Sequence, residues 1–248
     1  MGRVLCVANQ KGGVGKTTTA VSLAVALAKA GLRTLLVDLD PQCNATTGMG
    51  LKPTRVHPLT MNTPLRLGAL GTSDPHLHVL PGSRTFRDIE TLSQPNASQA
   101  RQLRENLGRG FSSYDFVLLD CPPSLGHLTK MALASSTEVF IPIQCEYFAM
   151  EGLAQMIEVI RQIIEHSTHR LEFGGILLTM YDHTLELTQE VDREVREFFG
   201  EIVYDTVIPR DVAVSEAPSH GKSVIDYAPR ARGARAYVEL CMEVLERE

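Results

Sequence analysis

Apolar residues along the chain fall into two alternating kinds of run. The short, nearly unbroken ones are "RVLCVAN" (3–9), "RTLLVDLD" (33–40), "LHVLPG" (77–82), "YDFVLLD" (114–120), "EVFIPIQ" (138–144) and "FGGILLTM" (173–180). They are rich in leucine and β-branched residues and bounded by Gly, Pro or Asp, the pattern of strands buried on both faces. Between them, 16–30, 98–109, 124–135, 149–165, 185–199 and 232–246 carry apolar residues at helical spacing. Strand, helix, strand in succession predicts an α/β fold, a doubly wound, mostly parallel sheet flanked by helices. Residues 51–76 are weakly periodic and hold four prolines, which predicts a loop with a short helix. No repeat, low-complexity tail or linker interrupts the pattern, so 1–248 reads as one domain. In such a sheet ligands sit at the carboxyl ends of the strands, and the polar motifs fall there.

Composition narrows the class. A hydrophobic fraction of 44% and a charged fraction of 21% are those of an ordinary globular chain. No run approaches the ~18 uninterrupted apolar residues of a membrane span. The start runs directly into a strand-like stretch with no charged-then-apolar leader. Five scattered cysteines, none spaced C-x-x-C, argue for a reducing compartment and against a zinc site. These features together predict a cytoplasmic protein. A net charge of −5 gives no global attraction to nucleic acid or anionic lipid, so any such binding must be local.

The chemistry lies in three strand-to-loop junctions. After the first strand comes "NQKGGVGKTTTA" (9–20). Its glycines let backbone N–H groups turn inward, and the following helix adds the positive end of its dipole, so the loop can hold phosphate oxygens. Lys11, Gly12, Gly13, Val14, Gly15, Lys16, Thr17 and Thr18 are the candidate nucleotide-binding residues, with Lys16 on the β- and γ-phosphates and the Thr17 hydroxyl on Mg²⁺. The common G-x-x-x-x-G-K-[ST] form fails at its first position, Gln10, and Lys11 is an additional cation. The second strand ends "VDLDPQCNATTG". Asp38 and Asp40 are two residues apart and share a face; Asp40 can orient or deprotonate a water. Asp38 either supports the metal or caps the next helix. The third ends "FVLLDCPPS", with Asp120 at the tip as an acidic partner of Mg²⁺ through water and two prolines stiffening a loop suited to sensing the γ-phosphate.

These residues, with "IPIQCEYFAMEGL", "ILLTMYD" and "VIPRDVAVSEAPSHGKSVIDY", resemble the ParA (Soj) partition ATPases, P-loop proteins of the deviant Walker A class. The resemblance covers nearly the whole chain and is poorest over 51–110. It implies ATP/ADP and Mg²⁺ as ligands and an ATP-sandwich homodimer. In that dimer Lys11 would reach the partner's phosphates, making Lys11, Lys16 and Asp40 the catalytic set. Thr17, Asp40 and Asp120 would be the metal set. It also implies Asn44 on a first switch, Pro122 to Gly126 on a second, Glu146 near the interface and ribose, and Met180 with Pro209, Arg210 and Asp211 about the adenine. Partners implied are a ParB-like activator and non-specific DNA, with nucleoid association in the cell.

The chain departs from that pattern where the family commonly carries arginine, reading "HTLELT" at 183–188 and Ala213 in "IPRDVAVSEAP". Each lost phosphate contact flattens the salt dependence by about 0.9. Lys222, Arg230, Arg232 and Arg235 form either a replacement basic face or a solvated helix edge. Three other readings compete. A MinD-like positioning ATPase needs a basic amphipathic terminal helix, whereas "YVELCMEVLERE" is acidic, with an apolar stripe suited to docking on the core and not to a membrane. An iron–sulfur carrier needs cysteines placed to share a cluster, and Cys121 reads as a buried strand-end thiol. A small-molecule kinase would need an acceptor site that does not stand out.

Overall fold

The computed structural model describes residues 2–58, 65–87, 105, 113–147, 149–166 and 171–247. Its sheet has seven strands: β1 (Arg3–Val7), β2 (Thr34–Asp38), β3 (Leu70–Gly71), β4 (Leu77–Leu80), β5 (Phe116–Asp120), β6 (Glu138–Gln144) and β7 (Glu172–Thr179). Their order is β3-β4-β2-β5-β1-β6-β7. Six are parallel, as the apolar runs predict, and β3 is an antiparallel edge against β4. The central strands β2 and β5 are buried at every position.

Period-two alternation divides the core. Along β1, Val4 and Cys6 face one cluster, packed by α3 (His127–Ser135), α4 (Ala149–His166) and α5 (Glu186–Phe199). Leu5 and Val7 face the other, packed by α1 (Lys16–Lys29) and α8 (Arg232–Glu246). Between α5 and α8 lie α6 (Val212–Glu216) and α7 (Val224–Tyr227), and α2 (Asn44–Gly48) follows β2. The stripe Tyr237, Leu240 and Val244 of α8 is fully buried. Each such side chain contributes roughly 1.5–3 kcal/mol by leaving water, and the Tyr237 hydroxyl lies 3.2 Å from that of Thr19. This stripe is therefore committed to the core. No helix among the described residues is long and apolar enough to cross a membrane.

The long elements end close to the sequence pattern; the short helices α6 and α7 are not anticipated by it, and three further stretches differ. Residues 51–76 contain a 3₁₀ turn at Leu65–Gly68 and also β3, which is too short to leave a periodic signal. The stretch Val203–Arg210, which carries no strand pattern, runs along the β7 edge: Tyr204 N donates to Ile176 O, Ile208 N to Leu178 O and Arg210 N to Tyr181 O. The helix expected at 98–109 lies outside the described residues apart from Glu105.

Pro142 sits inside β6, a position that normally needs a backbone donor. It is tolerated because the β1 ladder has ended at the Val7–Phe140 pair. What meets the Pro142 carbonyl is the Asn9 amide, at 2.8 Å.

Candidate nucleotide-binding and hydrolysis site

At the end of β1, Asn9 organises the loop from both ends of its amide. Nδ2 donates to Pro142 O, and Oδ1 accepts the Lys11 N–H at 2.9 Å. Gly13 (φ 77°) and Gly15 (φ 86°) occupy left-handed conformations, open to glycine at little cost. The Thr179 hydroxyl lies 2.9 Å from Val14 O and 3.0 Å from Ile143 O, tying the loop to β6 and β7. Gly15 caps α1, yet no side chain bonds to that end and no acidic residue lies in the first turn. A 14-residue helix with an unblocked N-terminus behind a glycine loop is suited to hold an anion.

Lys16 is 6% exposed, and its Nζ donates to Lys11 O at 2.8 Å. Burial pulls its pKa down, opposed by the neighbouring carboxyl groups of Asp120 and Asp40. Asp120, paired in register with Asp38 across β2 and β5, is wholly buried, and neither oxygen accepts a hydrogen bond of ordinary geometry. Desolvation first, then the charge of Asp38, push its pKa well up, while the Thr17 side chain and Lys16 act the other way. A buried carboxyl group without a hydrogen-bond partner, facing a threonine and an ammonium, is expensive. It fits Mg²⁺, which keeps most of its water and needs few protein ligands beyond phosphate oxygens.

Asp38 and Asp40 separate. Asp38 Oδ2 accepts both the N–H (2.8 Å) and the hydroxyl (2.6 Å) of Thr46, and Oδ1 accepts the Asp40 N–H at 3.1 Å. Gly82 N donates in turn to the Thr46 hydroxyl, and a Cβ at Gly82 would lie 2.8 Å from Asp38 Cγ. Of the two readings of Asp38, the structure supports the one in which it organises the loop into α2. Asp40 is 4% exposed, with Oδ1 accepting the Gln42 N–H at 2.8 Å.

Burial also raises Asp38, to about 6. A raised carboxyl means that the folded chain holds protons the unfolded chain has released, so stability falls as pH climbs from about 4 through 6. Asp120 pulls the same way. We expect the nucleotide-free protein to be more stable in urea at pH 5 than at pH 7.5. Asp120→Asn should flatten that slope and stabilise the protein at pH 7.5 by on the order of 1 kcal/mol. Destabilisation by Asn at pH 7.5 would contradict the assignment.

Lys11 Nζ pairs with a Glu146 oxygen of the same chain, joining two residues that the sequence placed 135 positions apart. Met180 (φ 51°) and Pro209 lie on neighbouring segments, bridged through Tyr181. The Asp211 carboxylate is consumed: Oδ1 accepts the Ala213 N–H and Oδ2 the Gly233 N–H. It anchors α6 and α8, so a base at this place would meet backbone and not that side chain.

The candidate cations of the basic face line more than one cavity. Arg232 and Arg235 line a cavity of about 500 Å³ with Arg210, Tyr181 and His183, and Arg235 donates to Arg230 O at 2.8 Å. Lys222 lines a different cavity, about 280 Å³, with Thr17, Thr18, Asn44 and Thr47. Arg210, which the resemblance puts near the adenine, lines the first of these cavities together with Pro209. All five cysteines are free and buried, and Cys6 and Cys121 touch at 3.4 Å between their sulfurs.

Beside this site α2 presses on the turn after the 3₁₀ segment Ala217–His220. Gly50 (φ 71°) and Gly221 (φ 64°) pass backbone to backbone, and a Cβ on Gly221 would lie 2.8 Å from Gly50 Cα. The sequence missed Asn9, Thr179, Thr46 and this glycine pair. A polar residue ending each strand was the available signal for Asn9 and Thr179.

Comparison with known proteins gives a consistent picture. A family model described as an AAA domain matches residues 2–173. The chain is 45% identical over 253 residues to chromosome partitioning protein ParA of Caulobacter vibrioides, covering 99% of this chain and 95% of that one. It is 43% identical over 249 residues to sporulation initiation inhibitor protein Soj of Bacillus subtilis, covering 98% of each. A solved structure of cobyrinic acid a,c-diamide synthase from Mycobacterium smegmatis, with bound ATP analog and magnesium, matches with a TM-score of 0.84. That match is 32% identical and covers 99% of this chain and 95% of that one.

Proposed function

Because the chain belongs to the ParA/Soj family of partition ATPases, we propose that it is an ATP-hydrolysing switch in DNA partitioning. In this reading the chain is a single ATPase domain of the cytoplasm and nucleoid. It dimerises around ATP, and a ParB-like activator provokes hydrolysis. One observation carries it: neighbouring strands bring the buried Lys16 and the orphaned Asp120 to the unblocked start of α1. The loop from Gly12 to Gly15, with Thr18, cradles phosphate oxygens through backbone N–H groups. Lys16 neutralises the β- and γ-phosphates. The chemistry that Mg²⁺ would supply here, when bound, is positive charge to offset that of the phosphate oxygens. Thr17 would hold the ion directly, with Asp120 and Asp40 acting through its water shell. Asp40 orients the attacking water, and Lys11 supplies charge to the partner's γ-phosphate.

Lys16→Gln tests the phosphate loop. Native protein with Mg–ATP a hundredfold above Kd should gain about 2.7 kcal/mol in a melting assay, and the variant should gain none. An unchanged shift would remove Lys16 from the site.

DNA is the cargo we propose. The arginines that gather beside α8 would form a basic strip once doubled in a dimer. Retardation of duplex DNA should require a non-hydrolysable ATP analogue and weaken with salt, with a slope of about 0.9 per phosphate contact. Arg232→Ala should lower that slope. No ATP-dependent retardation at low salt would shift the reading to a positioning ATPase with another cargo.

A further inference from the structure

We infer that Glu146 is a positioning residue for Lys11, a latch that keeps the ammonium inside its own subunit until a neighbour's phosphate takes it. The inference rests on the proposed role of Lys11 in the dimer. Lys11 has a fixed backbone: its N–H is held by Asn9 Oδ1 and its carbonyl by Lys16 Nζ. The four-carbon side chain extends from it, and its ion-pair partner among the described residues is Glu146. Glu146 is itself held in the turn after β6, where its N–H donates to Gln144 O and its carbonyl accepts from Ala149 N, both at 2.8 Å. Two hydrogen-bonded backbones thus present two long side chains to each other.

Exposure sets the strength of the latch. The side chains are 38% and 44% exposed, so the pair is a surface salt bridge, weak and easily exchanged. Phosphate oxygens in a water-excluded interface bind an ammonium more strongly, so the exchange runs towards the dimer when ATP is present. After it, Glu146 stands beside a triphosphate without its cation. The carboxylate therefore opposes dimerisation twice, by holding Lys11 and by adding like charge. With ADP the γ-phosphate that pulls Lys11 away is absent, and Glu146 recovers it. Glu146 would set how much ATP-bound protein is needed before two copies close.

The test is Glu146→Gln, which keeps shape and removes charge. In sedimentation with Mg²⁺ and a non-hydrolysable ATP analogue, the variant should dimerise about two- to fivefold more tightly than the native chain. Without nucleotide it should remain monomeric. A dimer that is unchanged or weaker overturns the latch, the latter being the result if Glu146 supports the interface through the ribose. A second readout needs no dimer. Brief acetic anhydride labelling of nucleotide-free protein, read by mass spectrometry, should show Lys11 acetylated faster in the variant, with Lys29, paired to Asp226, as the internal standard. Equal labelling overturns the ion pair in solution. Faster labelling without a tighter dimer overturns the latch while leaving the role of Lys11 in trans to the Lys11→Ala experiment.

Discussion

Lys11→Ala should bind Mg–ATP nearly as the native chain does and yet stay monomeric with a non-hydrolysable analogue in sedimentation equilibrium. The two functions separate because the two lysines are placed differently. Lys16 is buried under its own loop, whereas the Lys11 side chain is more than a third exposed and available to a second copy. Its backbone, which shapes the loop through Asn9 and Lys16, survives the substitution. Truncating one partner of a desolvated charge pair costs about 2–5 kcal/mol, and a symmetric dimer loses two. The dimer should therefore weaken by about a thousandfold or more. A native dimer from the alanine variant would end the proposal that ATP joins two copies through this residue.

Asp40→Ala is the second large effect. Hydrolysis should fall by roughly 10²–10⁴, the usual contribution of a group that orients or accepts a proton from water. ATP binding and ATP-dependent dimerisation should remain, leaving a dimer that does not reopen. Phosphate release in a single turnover, with sedimentation of the same sample, reads both. The prediction is specific to Asp40, because Asp38 is saturated by Thr46 and the Asp40 N–H. Asp38→Ala should instead disorganise the loop and destabilise the protein. Release at the native rate from the Asp40 variant would exclude it from the reaction.

Much of the fold and of the site is legible in the amino-acid sequence, and for a physical reason. Strands covered on both faces must be apolar throughout, so β1, β2, β5 and β6 announce themselves. β3 and the Val203–Arg210 stretch are edges, held by a few backbone hydrogen bonds that leave no period in the sequence. Lys16 and Asp120 are readable because a cation opening a helix behind a glycine loop and a carboxylate closing an apolar strand both stand out from their surroundings. Asp38 and Asp40 cannot be told apart by sequence, because their difference lies in what Thr46 and Gly82, farther along the chain, do to one of them. The same limit hides Thr179, whose hydroxyl matters only because Val14 and Ile143 turn their carbonyls toward it. Lys222 looks like a neighbour of the arginines because it is near them in number; the fold sends it to the cavity beside α2.

Contacts made through side chains are cushioned, since a rotamer change absorbs a few tenths of an ångström before anything beyond it moves. The meeting of Gly50 and Gly221 has no such slack. Asn44, at the start of α2, lies six residues before Gly50, and Lys222 directly follows Gly221. Any shift of the first segment toward the second is met at once by main chain, so the two must travel together or part.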